Sequence, residues 1–259
     1  MIPKIIHYCW LSNDPFPKLI SDCILSWKKN LPDYEFVLWD TNKFNLEDHL
    51  WVKQAFEAKK YAFAADYIRL YAVYHYGGIY LDTDVEVKKS LDDLLHLPYF
   101  IGTEGDGIIE AGVFGAEKNA DWINDCLSYY DGKTFRNSDG SFNTLTLPRI
   151  MMQQVQSKRM IHLISKEEIA LVSQLLISKD ELFLFPKEYF CAKNLGTGML
   201  ENTSETYTIH HFAMSWIPFK RKFLANFKRK LMRIFGVTFI TKLIHLFNLK
   251  RVKDILLKQ

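Results

Sequence analysis

Short apolar stretches and longer amphipathic ones take turns along residues 1–90. Lys4–Trp10 is apolar and isoleucine-rich, as a buried strand would be. Pro15 and Pro17 mark a loop, and Leu19–Lys29 then repeats apolar residues at helical spacing and stops before Pro32. Glu35–Trp39 reads as a second strand. Trp51–Tyr76 reads as helix, in one piece or two, and ends at Gly77-Gly78. Ile79–Val87 alternates as a third strand. Strand, helix, strand, helix, strand predicts an α/β fold with a mostly parallel central sheet flanked by helices. Further on, the pattern predicts helices at Trp122–Tyr130 and Pro148–Gln156, with a loop over Asp131–Asn143. Strand-like pieces are expected near Ile161–Ile164, Leu182–Phe185 and Tyr207–Phe212.

Composition adds a boundary. The chain has 259 residues, 48% of them apolar, enough for a sizeable core. No apolar run reaches the ~18 residues of a membrane-spanning helix, and Lys4 and His7 interrupt the opening MIPKIIHYCWL, so no secretory signal is expected. Cys9, Cys23, Cys126 and Cys191 form no CxxC pair, and free thiols of a reducing compartment are expected. The net charge of +3 hides an asymmetry: Ile217–Gln259 carries +11, and the rest −8. The expected organisation is therefore an acidic globular body, 1–216, and a basic tail, 217–259. In the tail Phe223, Leu224, Phe227, Leu231, Ile234 and Phe235 recur at helical spacing among Lys and Arg. Such a helix suits an anionic membrane surface, where each basic residue contributes ~1 kcal/mol; a helix packed on the body with its charges solvated is the alternative. Nucleic acid is not an expected partner, because the acidic body repels phosphates and no recognition motif is present.

The chemistry concentrates in YAFAADYIRLYAVYHYGGIYLDTDVEV. On a continuous strand Tyr80, Asp82, Asp84 and Glu86 share one face, so two carboxylates converge on one ligand. A hard divalent cation, Mn²⁺ or Mg²⁺, takes such oxygens and neutralises charge on a departing phosphate. Asp66 and Arg69 lie three apart on one face of the preceding helix, a surface ion pair unless buried. His210 and His211 are adjacent on a strand and point to opposite faces, so one at most reaches the sheet's edge. No GxSxG elbow and no glycine-rich phosphate loop is present, which leaves a serine hydrolase or a P-loop kinase without footing. Asp82 and Asp84 are too close together to flank a bond as a glycosidase pair does.

The run A-x-D-x-x-R-L at residues 64–70, followed by G-G-I-Y-L-D-T-D at 77–84, resembles the DxD retaining glycosyltransferases. That family includes yeast initiating mannosyltransferases and bacterial capsule and lipopolysaccharide sugar transferases, and shares a core with the large clostridial glucosylating toxins. The opening IPKIIHYCW, then SWKKNLPDYEFVLWD and the closing IHHFAMSW, match in the same order, so the resemblance spans residues 1–216. It implies a GT-A-type nucleotide-sugar-binding fold, Mn²⁺, a nucleotide-sugar donor and retention of configuration. By position, Asp82, Asp84 and His210 would hold the metal, and Asp66 and Arg69 the hydroxyls of the transferred sugar. Trp10 would stack on the nucleobase, Tyr80 and Asp82 would sit at the donor, and Ser215 and Trp216 would close over the diphosphate. Glu110, Asn143 and Thr144 are candidates for the acceptor side. The expected activity is transfer of a hexose, from a UDP-sugar, to a lipid-linked bacterial polysaccharide or lipopolysaccharide acceptor at the cytoplasmic face of the cell membrane. The alternative is an inactive nucleotide-sugar- or carbohydrate-binding module of the same fold.

Overall fold

A computed structural model describes residues 1–246 except 13, 106, 195 and 214–218. Ser215, Trp216 and the last stretch of the tail thus lie outside the described residues. In chain order the elements are β1 (Ile5–Cys9), α1 (Lys18–Asn30), β2 (Glu35–Trp39), α2 (Leu50–Glu57), α3 (Tyr61–Tyr76), β3 (Gly78–Leu81), β4 (Val85–Val87), β5 (Tyr99–Gly105), β6 (Ile108–Ala116), α4 (Asp121–Leu127), α5 (Leu147–Gln156), β7 (Met160–Leu163), α6 (Val172–Leu175), β8 (Glu181–Leu184), α7 (Lys187–Phe190), β9 (Thr208–His210), α8 (Phe219–Phe235) and α9 (Val237–Leu246).

The central sheet runs β2-β1-β3-β6-β5. The α/β expectation holds, and the sheet is mixed rather than mostly parallel. β2, β1 and β3 are parallel, whereas β6 runs antiparallel to β3 and to β5. The β5–β6 hairpin is absent from the sequence expectations. Most of its residues are apolar, on both faces, so the strand alternation that marks a half-buried sheet is missing. Only Gly105 and Gly107, both at positive φ, betray the turn.

The predicted helix over 51–76 falls into α2 and α3, broken where Lys59 takes a φ of 56°. At the end of α3, Gly77 and Gly78 have φ of 67° and 105°, and a Cβ on Gly78 would lie 2.7 Å from the Ile5 carbonyl. Glycine there lets β3 start hard against β1. His7 locks the same junction: Nε2 lies 2.8 Å from the Gly77 carbonyl, and Nδ1 accepts from Trp39 Nε1 at 3.1 Å.

The expected strand Ile79–Val87 is not continuous. Asp82 N–H still bonds the Gly112 carbonyl, but Val85 N–H turns back to the Asp82 carbonyl at 3.0 Å. β4 then leaves the central sheet to pair antiparallel with β9, with Val85 opposite His210. Side chains of α1 fix this departure: Trp27 Nε1 and Asn30 Nδ2 donate to the carbonyls of Val85 and Val87. The four cysteines are free and buried.

Candidate active site

Asp82 and Asp84 flank the turn between β3 and β4, at the carboxyl end of the parallel strands, where open α/β sheets bind ligands. The turn, not a shared strand face, makes them converge. Glu86 stands apart, paired with Lys88 and with His211 Nε2 at 3.0 Å. β9 brings His210 in from the other side, so ligand atoms of Asp82, Asp84 and His210 all lie within 4.8 Å of one another. The predicted split between the two histidines is thus observed.

Each carboxylate is held. Asp82 Oδ1 accepts from Tyr80 Oη at 2.9 Å and lies 3.2 Å from an Arg69 nitrogen, and Oδ2 accepts from Arg69 at 3.2 Å. Asp84 Oδ2 accepts the Ala213 N–H at 2.6 Å, and Oδ1 is 3.4 Å from His210 Nε2. The other imidazole nitrogen, Nδ1, is 3.0 Å from Glu110 Oε1. Phe212, at a φ of 53°, stacks on the His210 ring at 4.1 Å between centroids.

Arg69 departs from its expected part. It is buried with Asp66 at 3.1 Å and Asp82 at 3.2 Å, donates to the carbonyls of Ala111 and Ala65, and lies over the Tyr80 ring. Its guanidinium donors all have protein acceptors, so it clamps two carboxylates rather than a sugar's hydroxyls. Tyr80, 1% exposed, likewise supports Asp82 from beneath. Asp66 remains partly open beside that clamp. Trp10 stands just past β1, half-buried, with its Nε1 bonded to the Asp14 carbonyl and its ring edge-on to Phe16. The β1–β3 register puts it beyond Asp82 on the same edge of the sheet. Asn143 and Thr144 lie in the loop ahead of α5, whereas Glu110 proves to be part of the cluster.

Four carboxylates, of Asp66, Asp82, Asp84 and Glu110, thus surround one guanidinium and one imidazole. Burial pushes Asp66 up to about 7 against the pull of Arg69, and raises Asp82 for the same reason. Glu110 and Asp84 hold the His210 imidazole well above its ordinary value despite burial, while that imidazole and backbone donors keep Asp84 far below the carboxylate range. Two carboxylates and an imidazole converging within a net-acidic cluster are a fitting donor set for a divalent cation such as Mn²⁺.

Residues 17–101, which include Asp66, Arg69, Asp82 and Asp84, match the family described as glycosyltransferase sugar-binding region containing DXD motif. This stretch is thus similar to the DXD sugar-binding region of glycosyltransferases. Over 124 residues, 45% of the chain, the sequence is 36% identical to inositol phosphoceramide mannosyltransferase 3 of Schizosaccharomyces pombe. Over 112 residues, 39% of the chain, it is 35% identical to mannosyl phosphorylinositol ceramide synthase SUR1 of Saccharomyces cerevisiae. Those matches cover 34% and 27% of the relatives, so the chain spans about a third or less of their length. Among solved structures, PaToxG glycosyltransferase aligns at a TM-score of 0.46 and 23% identity, over 60% of this chain and 68% of that one.

Glu110, Gly112 and Phe212 complete the site without belonging to that motif. The sequence carries one clue to Glu110, a lone acid inside the apolar run IIEAGVFGA.

Proposed function

We propose that this chain is a divalent-cation-dependent, retaining glycosyltransferase that moves a hexose from a nucleotide sugar to a lipid-linked acceptor. The convergence of Asp82, Asp84 and His210 at the carboxyl edge of the sheet carries this reading. When bound, Mn²⁺ or Mg²⁺ would neutralise charge developing on a diphosphate leaving group. Asp82, Asp84 and His210 would hold it, and Tyr80 and Arg69 would keep Asp82 oriented. Asp66, fixed by Arg69 at the rim, would meet the sugar, and Trp10 the base. The names of the yeast relatives, which specify mannosyl transfer and an inositol phosphoceramide, support a lipid-linked acceptor and put mannose beside the UDP-hexoses as a donor to test. A bacterial polysaccharide or lipopolysaccharide intermediate is the acceptor we favour.

The tail completes the proposal. Residues 1–216 would form the catalytic body, and 217–259 would hold it on the anionic cytoplasmic face of the membrane. No described helix is long and apolar enough to cross a bilayer. Instead α8 turns Phe223, Phe227 and Ile234 outward, each more than half exposed, among its lysines and arginines. An apolar stripe left in water beside basic residues suits an anionic lipid surface. The test is donor hydrolysis across UDP- and GDP-hexoses with and without Mn²⁺. Cation-dependent turnover of one donor is expected; nucleotide binding with no turnover of any donor would instead make the chain a binding module.

A further inference from the structure

Three consecutive residues of β6 each hold a different part of the site. The Ala111 carbonyl accepts from Arg69 at 2.9 Å, and the Gly112 carbonyl accepts the Asp82 N–H at 2.8 Å. Glu110 holds His210. Glu110 is 1% exposed, a rare place for a carboxylate without a specific task. Its Oε1 accepts both the Gly112 N–H at 2.6 Å and the imidazole Nδ1 at 3.0 Å, so its own position is set by the strand. Gly112 makes the contact feasible: a Cβ there would fall 2.7 Å from Glu110 Oε1 and 2.8 Å from His210 Cε1.

We propose that Glu110 is the positioning residue of the cation site. It accepts the Nδ1–H of His210, so that a cation displacing the proton from Nε2, 3.4 Å from Asp84 Oδ1, would find that nitrogen's lone pair free. A ring nitrogen can offer its lone pair to a cation only when the proton sits on the other nitrogen. An acceptor that fixes that tautomer and the ring's rotation typically accounts for 10–100-fold in metal affinity. Gly112 serves the same end by leaving room for the ring against the strand. The proposal rests on the cation-dependent reading of Asp82, Asp84 and His210 given above.

Mn²⁺ titration of the purified chain, with free Mn²⁺ followed by electron paramagnetic resonance, tests it without reference to turnover. Glu110→Ala is expected to weaken Mn²⁺ binding 10–100-fold, and Glu110→Gln, which keeps an oxygen to accept the Nδ1–H, to restore most of it. In a His210→Ala background, Glu110→Ala should change the affinity no further, because its effect passes through the imidazole. A purely structural Glu110 would leave the affinity of every folded variant within twofold of the parent, and that result overturns the proposal. Should Glu110→Ala not fold, ¹⁵N shifts of the His210 ring in the unaltered chain decide the matter. With Mg²⁺ bound, a proton on Nδ1 is expected, and a proton on Nε2 contradicts the proposal. If the unaltered chain takes up neither cation, the reading of the site itself fails, and Glu110 with it.

Discussion

The Asp82 cluster and the C-terminal helices use charge in opposite ways. In the cluster, charges are buried and each has a partner of defined geometry: Arg69 reaches two carboxylates and two carbonyls, and His210 lies between Glu110 and Asp84. In α8 and α9 many apolar residues face outward. Phe223, Phe227, Ile234, Phe235, Phe239 and Leu246 are exposed, and only Met232 and Ile240 are fully buried among the described residues of this pair. Arg233 ties α8 back to the loop at Gly198 through one 2.7 Å bond. Where charges are desolvated, geometry is fixed and a single change is costly; where apolar surface is left in water, an outside partner is needed and single changes act in small steps.

The largest expected effect comes from Asp84. Asp84→Asn removes a negative ligand while keeping the shape, and kcat/KM for cation-dependent donor turnover should fall ~10³-fold, the several kcal/mol that a bound cation supplies. Unaltered turnover would detach the cluster from the chemistry. Next comes Arg69. Arg69→Met removes the buried cation that two largely enclosed carboxylates, of Asp66 and Asp82, share, and urea unfolding should show a loss of ~3 kcal/mol, the lower end for breaking a buried pair. A loss under about 1 kcal/mol would mean that the clamp is no stronger than a surface pair.

The tail should respond in smaller increments. Phe223→Ser and Phe227→Ser should each weaken binding to anionic vesicles roughly tenfold, the ~1.5–3 kcal/mol of one apolar side chain taken out of water, reduced for partial insertion. Donor turnover in solution should stay within about twofold, since neither residue touches the cluster; sedimentation with vesicles of increasing anionic lipid measures the first effect, and vesicle binding unaffected by both substitutions would leave the helices without a lipid role.

The smallest effect is of pH. His210 has a raised folded value, so its contribution to stability is complete below the ordinary histidine value near 6.5 and is lost as pH rises through the folded one. Asp84 and Glu110 are depressed, so theirs is present above about pH 4 and is lost on acidification. Asp66, raised to about 7, acts in the same direction as His210. In chelator, the chain should be less stable at pH 8 than at pH 6 by about 1–2 kcal/mol, and His210→Gln should reduce that slope in thermal unfolding and leave the part due to Asp66.

What the sequence disclosed follows the same division. α8 was legible because Phe223, Phe227 and Ile234 recur at a local helical period. Asp66, Arg69, Asp82 and Asp84 were legible because one helix–strand unit carries them all. The break at Asp82-Thr83-Asp84 was not, since the polar–apolar alternation runs on through it; only the pull of α1 and β9 on Val85–Val87 separates β4 from β3. Glu110 was legible only as an acceptor-side candidate, and Gly112 not at all, for another reason. Their meaning depends on β6 lying beside β3 and on His210, a hundred residues away, arriving through β9. Arg69 could be placed on the correct helix face, but its burial against the Tyr80 ring and its full set of acceptors arise only from tertiary packing.

Isothermal titration of the purified chain with Mn²⁺, with and without a nucleoside diphosphate, tests the central claim most directly. One site is expected, strengthened by the diphosphate and lost in Asp84→Asn while the fold persists by circular dichroism. No binding, or binding of equal strength in the unaltered chain and in Asp84→Asn, contradicts the account.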